Sequence, residues 1–205
     1  MCQAISGIAV KSGRTVVVYT SAKTDSHTEI REEHNIRDDD GPVAQYQTPI
    51  ELIPVTDLFD INGMEFRFDA WRPDWWTGSM TRAATKQLHR SWMARWDGMT
   101  LKMESDVYLG SLKEIPAGVT IEAGGYVDLR NLKEMPAGVT IEAGGYVYLR
   151  NLKEIHAGVT IKAGGYVDLR NLKEMPAGVT IEAGGYVYLD DGQGWRKLDE
   201  AKGKI

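Results

Sequence analysis

The chain has 205 residues, a net charge of −5 and one cysteine, which excludes an internal disulfide and a Cys-rich metal site. The charge divides as −3 over 1–97 (11 basic, 14 acidic), −2 over 98–189 (9 and 11) and zero over 190–205 (4 and 4), so no segment has the basic excess of a nucleic-acid binder. No apolar run reaches the length of a signal peptide or membrane span, and the sequence predicts a soluble, cytoplasmic protein with no membrane partner.

The first residues, Ile5-Ser6-Gly7-Ile8-Ala9-Val10 and Thr15-Val16-Val17-Val18-Tyr19, predict a β-hairpin. Cys2 stands at its extreme end. With Met1 removed, Cys2 would carry both a thiol and a free α-amine able to act as a base, the arrangement that N-terminal nucleophile amidohydrolases use. Cys2, His27 and Asp25 are the residues that would form a Cys-His-Asp catalytic set. A small buried cysteine is the alternative, and no oxyanion Asn-Gly pair accompanies it.

Ser26-His27-Thr28-Glu29 is a capping box and predicts a short helix over 29–35. His27 and His34 lie two helical turns apart and would share a face. His27-x-Glu29 superficially resembles a zinc-deaminase motif, but no cysteine pair follows, so no metal and no cofactor are expected. Residues 48–55, with Pro49 and Pro54 at the margins, predict an edge strand. Asn62-Gly63 predicts a hairpin-type turn into a strand whose Phe66 and Phe68 face a core. A longer helix is expected over 79–96, with Met80, Ala84, Leu88 and Trp92 as its apolar stripe and Arg82, Lys86 and Arg90 on a solvated face.

From 98 to 189 a twenty-residue unit recurs, with a degenerate first copy. In one copy Val139 and Ile141 face one way while Thr140 and Glu142 face the other. Val147 and Leu149 then alternate against Tyr146, Tyr148 and Arg150, after the corner Gly144-Gly145. Leu132 and Met135 supply a third inward side, and Pro136 follows at a corner. The opposite parity would bury rows of Tyr, Asp and Arg. The fold class is therefore a small α+β N-terminal domain (1–97) followed by a parallel β-solenoid of about 4.5 twenty-residue coils (98–189) and a C-terminal cap (190–205). At strand spacing the rod is on the order of 20 Å long. The N-terminal domain would cover one end, and the tail, with Trp195 as a plug, the other. A forty-residue period also shows, as Tyr108, Asp128, Tyr148, Asp168 and Tyr188 alternate.

Met1-Cys2 leading into a hairpin, Asp25-Ser26-His27 before a short helix, Arg72-Pro73-Asp74-Trp75-Trp76 before a longer one, and near-identical repeats together resemble a type of small protein encoded by bacteriophages and prophages. The repeats also superficially resemble bacterial leucine-rich repeats. The resemblance implies origin, with the cytoplasm of a bacterial host as the location. The expected binding surface is the outward face of the second strand. There Tyr126, Tyr146, Tyr166 and Tyr186 form one ladder beside Tyr108, Tyr148 and Tyr188, interleaved with Asp128 and Asp168 and flanked by Arg130, Arg150 and Arg170. The expected function is non-enzymatic binding of a host protein, with inhibition of a host antiviral defence system as the narrower reading and a homodimer through the same face as a second partner. An amidohydrolase with a solenoid recognition arm, and an assembly protein that polymerises through its ends, are the alternatives.

Overall fold

The structure, a computed structural model, describes residues 5–37 and 46–189 and the backbone of 195–196. The expected architecture holds: an N-terminal sheet with two helices, then a parallel β-solenoid of about four turns at twenty-residue spacing.

Strands β1 (Ile5–Ser12), β2 (Thr15–Tyr19), β3 (Gln47–Pro54) and β4 (Met64–Phe68) make an antiparallel sheet in the order β2-β1-β3-β4. Helix α1 (His27–Glu33) begins at the predicted cap, where the Ser26 hydroxyl accepts from the Glu29 amide at 3.4 Å. Helix α2 (Gly78–Met93) ends three residues short of the expected limit, and all four residues of its predicted stripe are buried against the sheet. The close seating of α2 depends on Gly7 in β1. A Cβ there would come within 2.9 Å of Leu88 Cδ2 and 2.8 Å of Val18 Cγ1.

The edge-strand expectation for 48–55 is corrected, because β3 lies between β1 and β4. Pro49 is tolerated inside the sheet for a geometric reason. Its carbonyl accepts from the Asp69 amide at 3.2 Å, one residue beyond the end of β4. The donor that proline lacks would therefore serve only a rung past the end of the ladder. The predicted Asn62-Gly63 turn is also different. These residues close a 3₁₀ turn (Ile61–Gly63) capped by Asp60, within a longer connection whose Gly63 carbonyl accepts from Val55 and Thr56. Phe66 and Phe68 are half-buried and ring-packed on the buried Trp76, with centroids 5.9 and 5.0 Å away.

The solenoid has two long sheets. One runs through β6 (Thr100–Met103), β8 (Thr120–Ala123), β11 (Thr140–Ala143), β14 (Thr160–Ala163) and β16 (Thr180–Ala183). The other runs through β7 (Val107–Tyr108), β9 (Val127–Asp128), β12 (Val147–Tyr148), β15 (Val167–Asp168) and β17 (Val187–Tyr188). Register is i to i+20 throughout, so Val147 sits on Val127 and under Val167, and Ile141 on Ile121 and under Ile161. The inward set is as expected: Leu132, Met135, Val139, Ile141, Val147 and Leu149 are fully buried.

The third side is paired only between β10 (Glu134–Met135) and β13 (Glu154–Ile155). The sequence explains why. His156 occupies the corner where the other coils have Pro116, Pro136 and Pro176, and its amide donates to the Met135 carbonyl at 3.0 Å. A proline has no such donor.

The expected boundary at 97/98 falls inside a hairpin. Strand β5 (Trp96–Asp97) turns back antiparallel onto β6, so it closes the first-strand sheet at its N-terminal end. At the other end of the molecule β18 (Trp195–Arg196) pairs antiparallel with β17 and closes the second-strand sheet. Each sheet thus receives one reversed strand, at opposite ends, which blocks in-register continuation by another solenoid there. The plug role expected of the Trp195 side chain lies outside the described residues. One apolar core runs without a break from Ile5, Leu52 and Leu88 through Trp92 to Leu101 and on through the coils.

Candidate functional site

The tyrosine face is a wall with a fixed internal geometry. The rings zigzag from coil to coil: Tyr108 meets Tyr126 edge-on at 5.3 Å, Tyr126 meets Tyr148 at 6.0 Å, and Tyr148 meets Tyr166 at 5.7 Å. Tyr146 stacks on Tyr166 with centroids 4.3 Å apart and planes 22° from parallel. The phenols are tied as well. Tyr166 donates to Tyr148 at 3.1 Å, Tyr108 and Tyr126 share a hydrogen bond, and Tyr108 donates to Asp106 Oδ2 at 3.2 Å. Edge-to-face rings with linked hydroxyls leave each side chain little rotamer freedom.

The forty-residue period now has a physical meaning. In the row Tyr108, Asp128, Tyr148, Asp168, Tyr188, every second coil carries a short side chain in place of a ring. Asp128 and Asp168 were expected to be exposed among the tyrosines, and this is corrected: they are 4% and 1% exposed. Their outward parity is as predicted, but neighbouring side chains cover them. Asp128 accepts from Arg130 Nε at 2.9 and 2.8 Å and from the Arg130 amide at 3.1 Å. Asp168 accepts from Arg170 Nε at 2.9 Å and Nη2 at 2.8 Å, and Arg150 Nε lies 3.7 Å away. A buried carboxylate is acceptable here because a guanidinium fork satisfies it. Arg130 and Arg170 therefore brace the wall, and Arg170 also lies over the Tyr188 ring at 4.8 Å.

Of the residues expected to bind a partner, the structure gathers all on one face but grades their exposure. Tyr146 and Tyr186 are exposed, at 42% and 54%, and Tyr126, Tyr148, Tyr166 and Tyr188 are half-buried. Arg150 is exposed and held only by the 3.7 Å approach to Asp168 among its described ion pairs.

Burial and then the bond to Tyr148 push the Tyr166 phenol up to about 12, and burial and the bond to Tyr126 also raise Tyr108. The folded chain therefore keeps protons that the unfolded chain releases near pH ~10. Stability from these two groups is present below that value and is lost as pH rises toward about 12. An alkaline titration followed by phenolate absorbance should show at least two tyrosines ionising only as the fold opens. Nine phenols ionising together at the ordinary value, with the fold intact, would remove this account of the wall.

Two residues of the expected catalytic set, Asp25 and His27, have other partners. Cys2 lies outside the described residues. Asp25 is buried and accepts from Arg95 Nη1 with both oxygens at 2.9 Å and from the Ser6 amide at 3.0 Å. The Nδ1 of His27 lies 3.2 Å from Asp69. His34, the C-cap of the same helix, approaches the Thr20 carbonyl at 2.9 Å. Arg95 and Asp69 had no signal in the sequence, because each meets its partner from more than forty residues away. Arg82, Lys86 and Arg90 are exposed, as a solvated stripe should be.

A groove of about 1230 Å³ follows the first-strand sheet, walled by Lys102, Glu122, Glu142 and Lys162. The charges of these four side chains pair off. Lys102 meets Glu122 at 2.8 Å and Lys162 meets Glu142 at 3.1 Å. Such exposed pairs contribute little energy and offer a ligand no uniform field. No described helix is long and apolar enough to cross a membrane. Compared with known protein families, curated proteins and solved structures, the chain matches none.

Proposed function

We propose that this is a non-enzymatic interaction protein that binds a protein of a bacterial host through the tyrosine and arginine face of its solenoid. A component of a host antiviral defence system is the narrower reading, and it rests on the resemblance to phage-encoded proteins. The observation that carries the proposal is the exposure of Tyr146 and Tyr186 on a wall whose other rings are already locked. Large rigid rings with a polar tip lose little entropy when covered, and Tyr and Arg dominate binding hot spots. Arg150 adds an exposed cation on the same face.

The test uses the full chain as bait in a bacterial host lysate, with a Tyr146→Ala/Tyr186→Ala variant beside it. Both rings protrude, so the variant should melt within a few degrees of the wild type. A partner retained by the wild type, and weakened at least tenfold in the variant when the purified pair is titrated, is the expected result. Equal affinity for both baits would place binding elsewhere and return the rings to a structural role.

A further inference from the structure

We propose that His27, Glu51 and Asp69 form a binding site for one divalent transition-metal ion, such as Zn²⁺, at the junction of α1, β3 and β4. The site is independent of the tyrosine face. His27 is the first residue of α1, Glu51 lies in β3, and Asp69 follows the last residue of β4. One donor atom from each comes within 4.8 Å of the other two. His27 is 9% and Glu51 5% exposed, whereas the Asp69 side chain is 37% exposed, so the cluster is buried on two sides and meets water on the third.

The histidine is already oriented for ligation. Its Nε2 faces the Ile50 carbonyl at 3.3 Å, and a carbonyl can only accept, so Nε2 carries a proton. A backbone carbonyl that fixes one imidazole nitrogen while the other faces a ligand site is the usual outer support of a metal-bound histidine. Nδ1 is thereby turned toward the Asp69 carboxylate, 3.2 Å from its Oδ2. A lone pair directed at a carboxylate is unfavourable unless a cation, a metal ion or a proton, lies between them. At zinc bond lengths of roughly 2.0–2.2 Å, ligand atoms of a tetrahedron stand about 3.3 Å apart, close to the observed separation. One imidazole and two carboxylates, with solvent access at Asp69, suit a zinc-like ion with a remaining water position. Bound there, the ion would tie the short helix to the two strands, and would stabilise the fold by mass action.

The alternative cation is a second proton on His27, and experiment separates the two. Full-length protein, stripped with chelator, is titrated with Zn²⁺ by calorimetry, and its melting temperature is followed in parallel. The expected result is one saturable equivalent, a raised melting temperature, and at least about tenfold weaker binding in Asp69→Asn and in Glu51→Gln. Asp69 is at the surface, so Asp69→Asn should fold even if Glu51→Gln does not; circular dichroism checks both. A second group, Glu134, Glu154 and His156, is exposed on the solenoid, and His156→Ala should leave the binding unchanged. No saturable binding, binding that neither Asp69→Asn nor Glu51→Gln weakens, or binding lost in His156→Ala would each overturn the proposal.

Discussion

Gly144→Ala should unfold the solenoid. A Cβ at this position would stand 2.1 Å from the Gly124 carbonyl oxygen and 3.0 Å from its carbon. Neither atom can move away, because the Gly144 amide donates to Ala123 at 2.9 Å and the Gly145 amide to Gly125 at 2.8 Å. Relieving the clash means parting two coils that the ladders hold at strand spacing. Gly124, Gly164 and Gly184 face the preceding coil at 2.1, 2.1 and 2.3 Å, so the requirement repeats along the rod. The expected loss exceeds about 4 kcal/mol, the range kept for severe overpacking. Gly158→Ala is the control. Its φ of +80° strains an alanine, but its nearest neighbour is 3.7 Å away, so only about 1–2 kcal/mol should be lost. Urea denaturation of both variants decides the matter. Equal, small losses would mean that the corner is slack and that the carbonyl row does not set the coil spacing.

Arg95→Met should cost about 3–5 kcal/mol, because it strands Asp25 without its counter-charge. The Arg95 side chain is 2% exposed and bridges Asp25 to the Ser21 carbonyl at 2.7 Å, which fastens the end of α2 to the loop before α1. The pair is not perfectly satisfied, since Arg95 Nε is buried without a hydrogen-bond partner. An Asp25→Leu/Arg95→Met double variant should therefore recover most of the loss. The pH dependence provides a second readout. Burial already pushes the Asp25 carboxyl up, and Arg95 opposes that push. Without Arg95 the folded form holds a proton that the unfolded chain releases near pH ~4. The variant should then come nearest the wild type at low pH and fall further behind as pH rises. A loss that is the same at every pH, and unrelieved in the double variant, would show that packing and not charge is what Arg95 supplies.

The sequence by itself determined the solenoid. Twenty-residue repetition places residue i on residue i+20, so the alternation of Val139, Ile141, Val147 and Leu149 specifies both the inward face and its neighbours in the stack. The Ser26 cap and the stripe from Met80 to Trp92 were legible for the same reason: each is a short-range pattern whose partners lie within a turn or a repeat. The tyrosine face was legible as a set of residues, but not as a graded surface. Arginine side chains fold back to cover Asp128 and Asp168, and that depends on side-chain reach across the coil.

Tertiary structure alone decided the rest. The placement of β3 inside its sheet, despite two prolines, follows from where β4 happens to end. The pairing of Asp25 with Arg95 and of His27 with Asp69, and the approach of Glu51 to the latter two, join residues that have no common period. The physical reason is the kind of contact involved. A repeat writes its long-range contacts into a fixed offset along the chain, whereas the N-terminal sheet brings residues together across unequal loops, and a local pattern carries no record of which distant charge will be buried beside it.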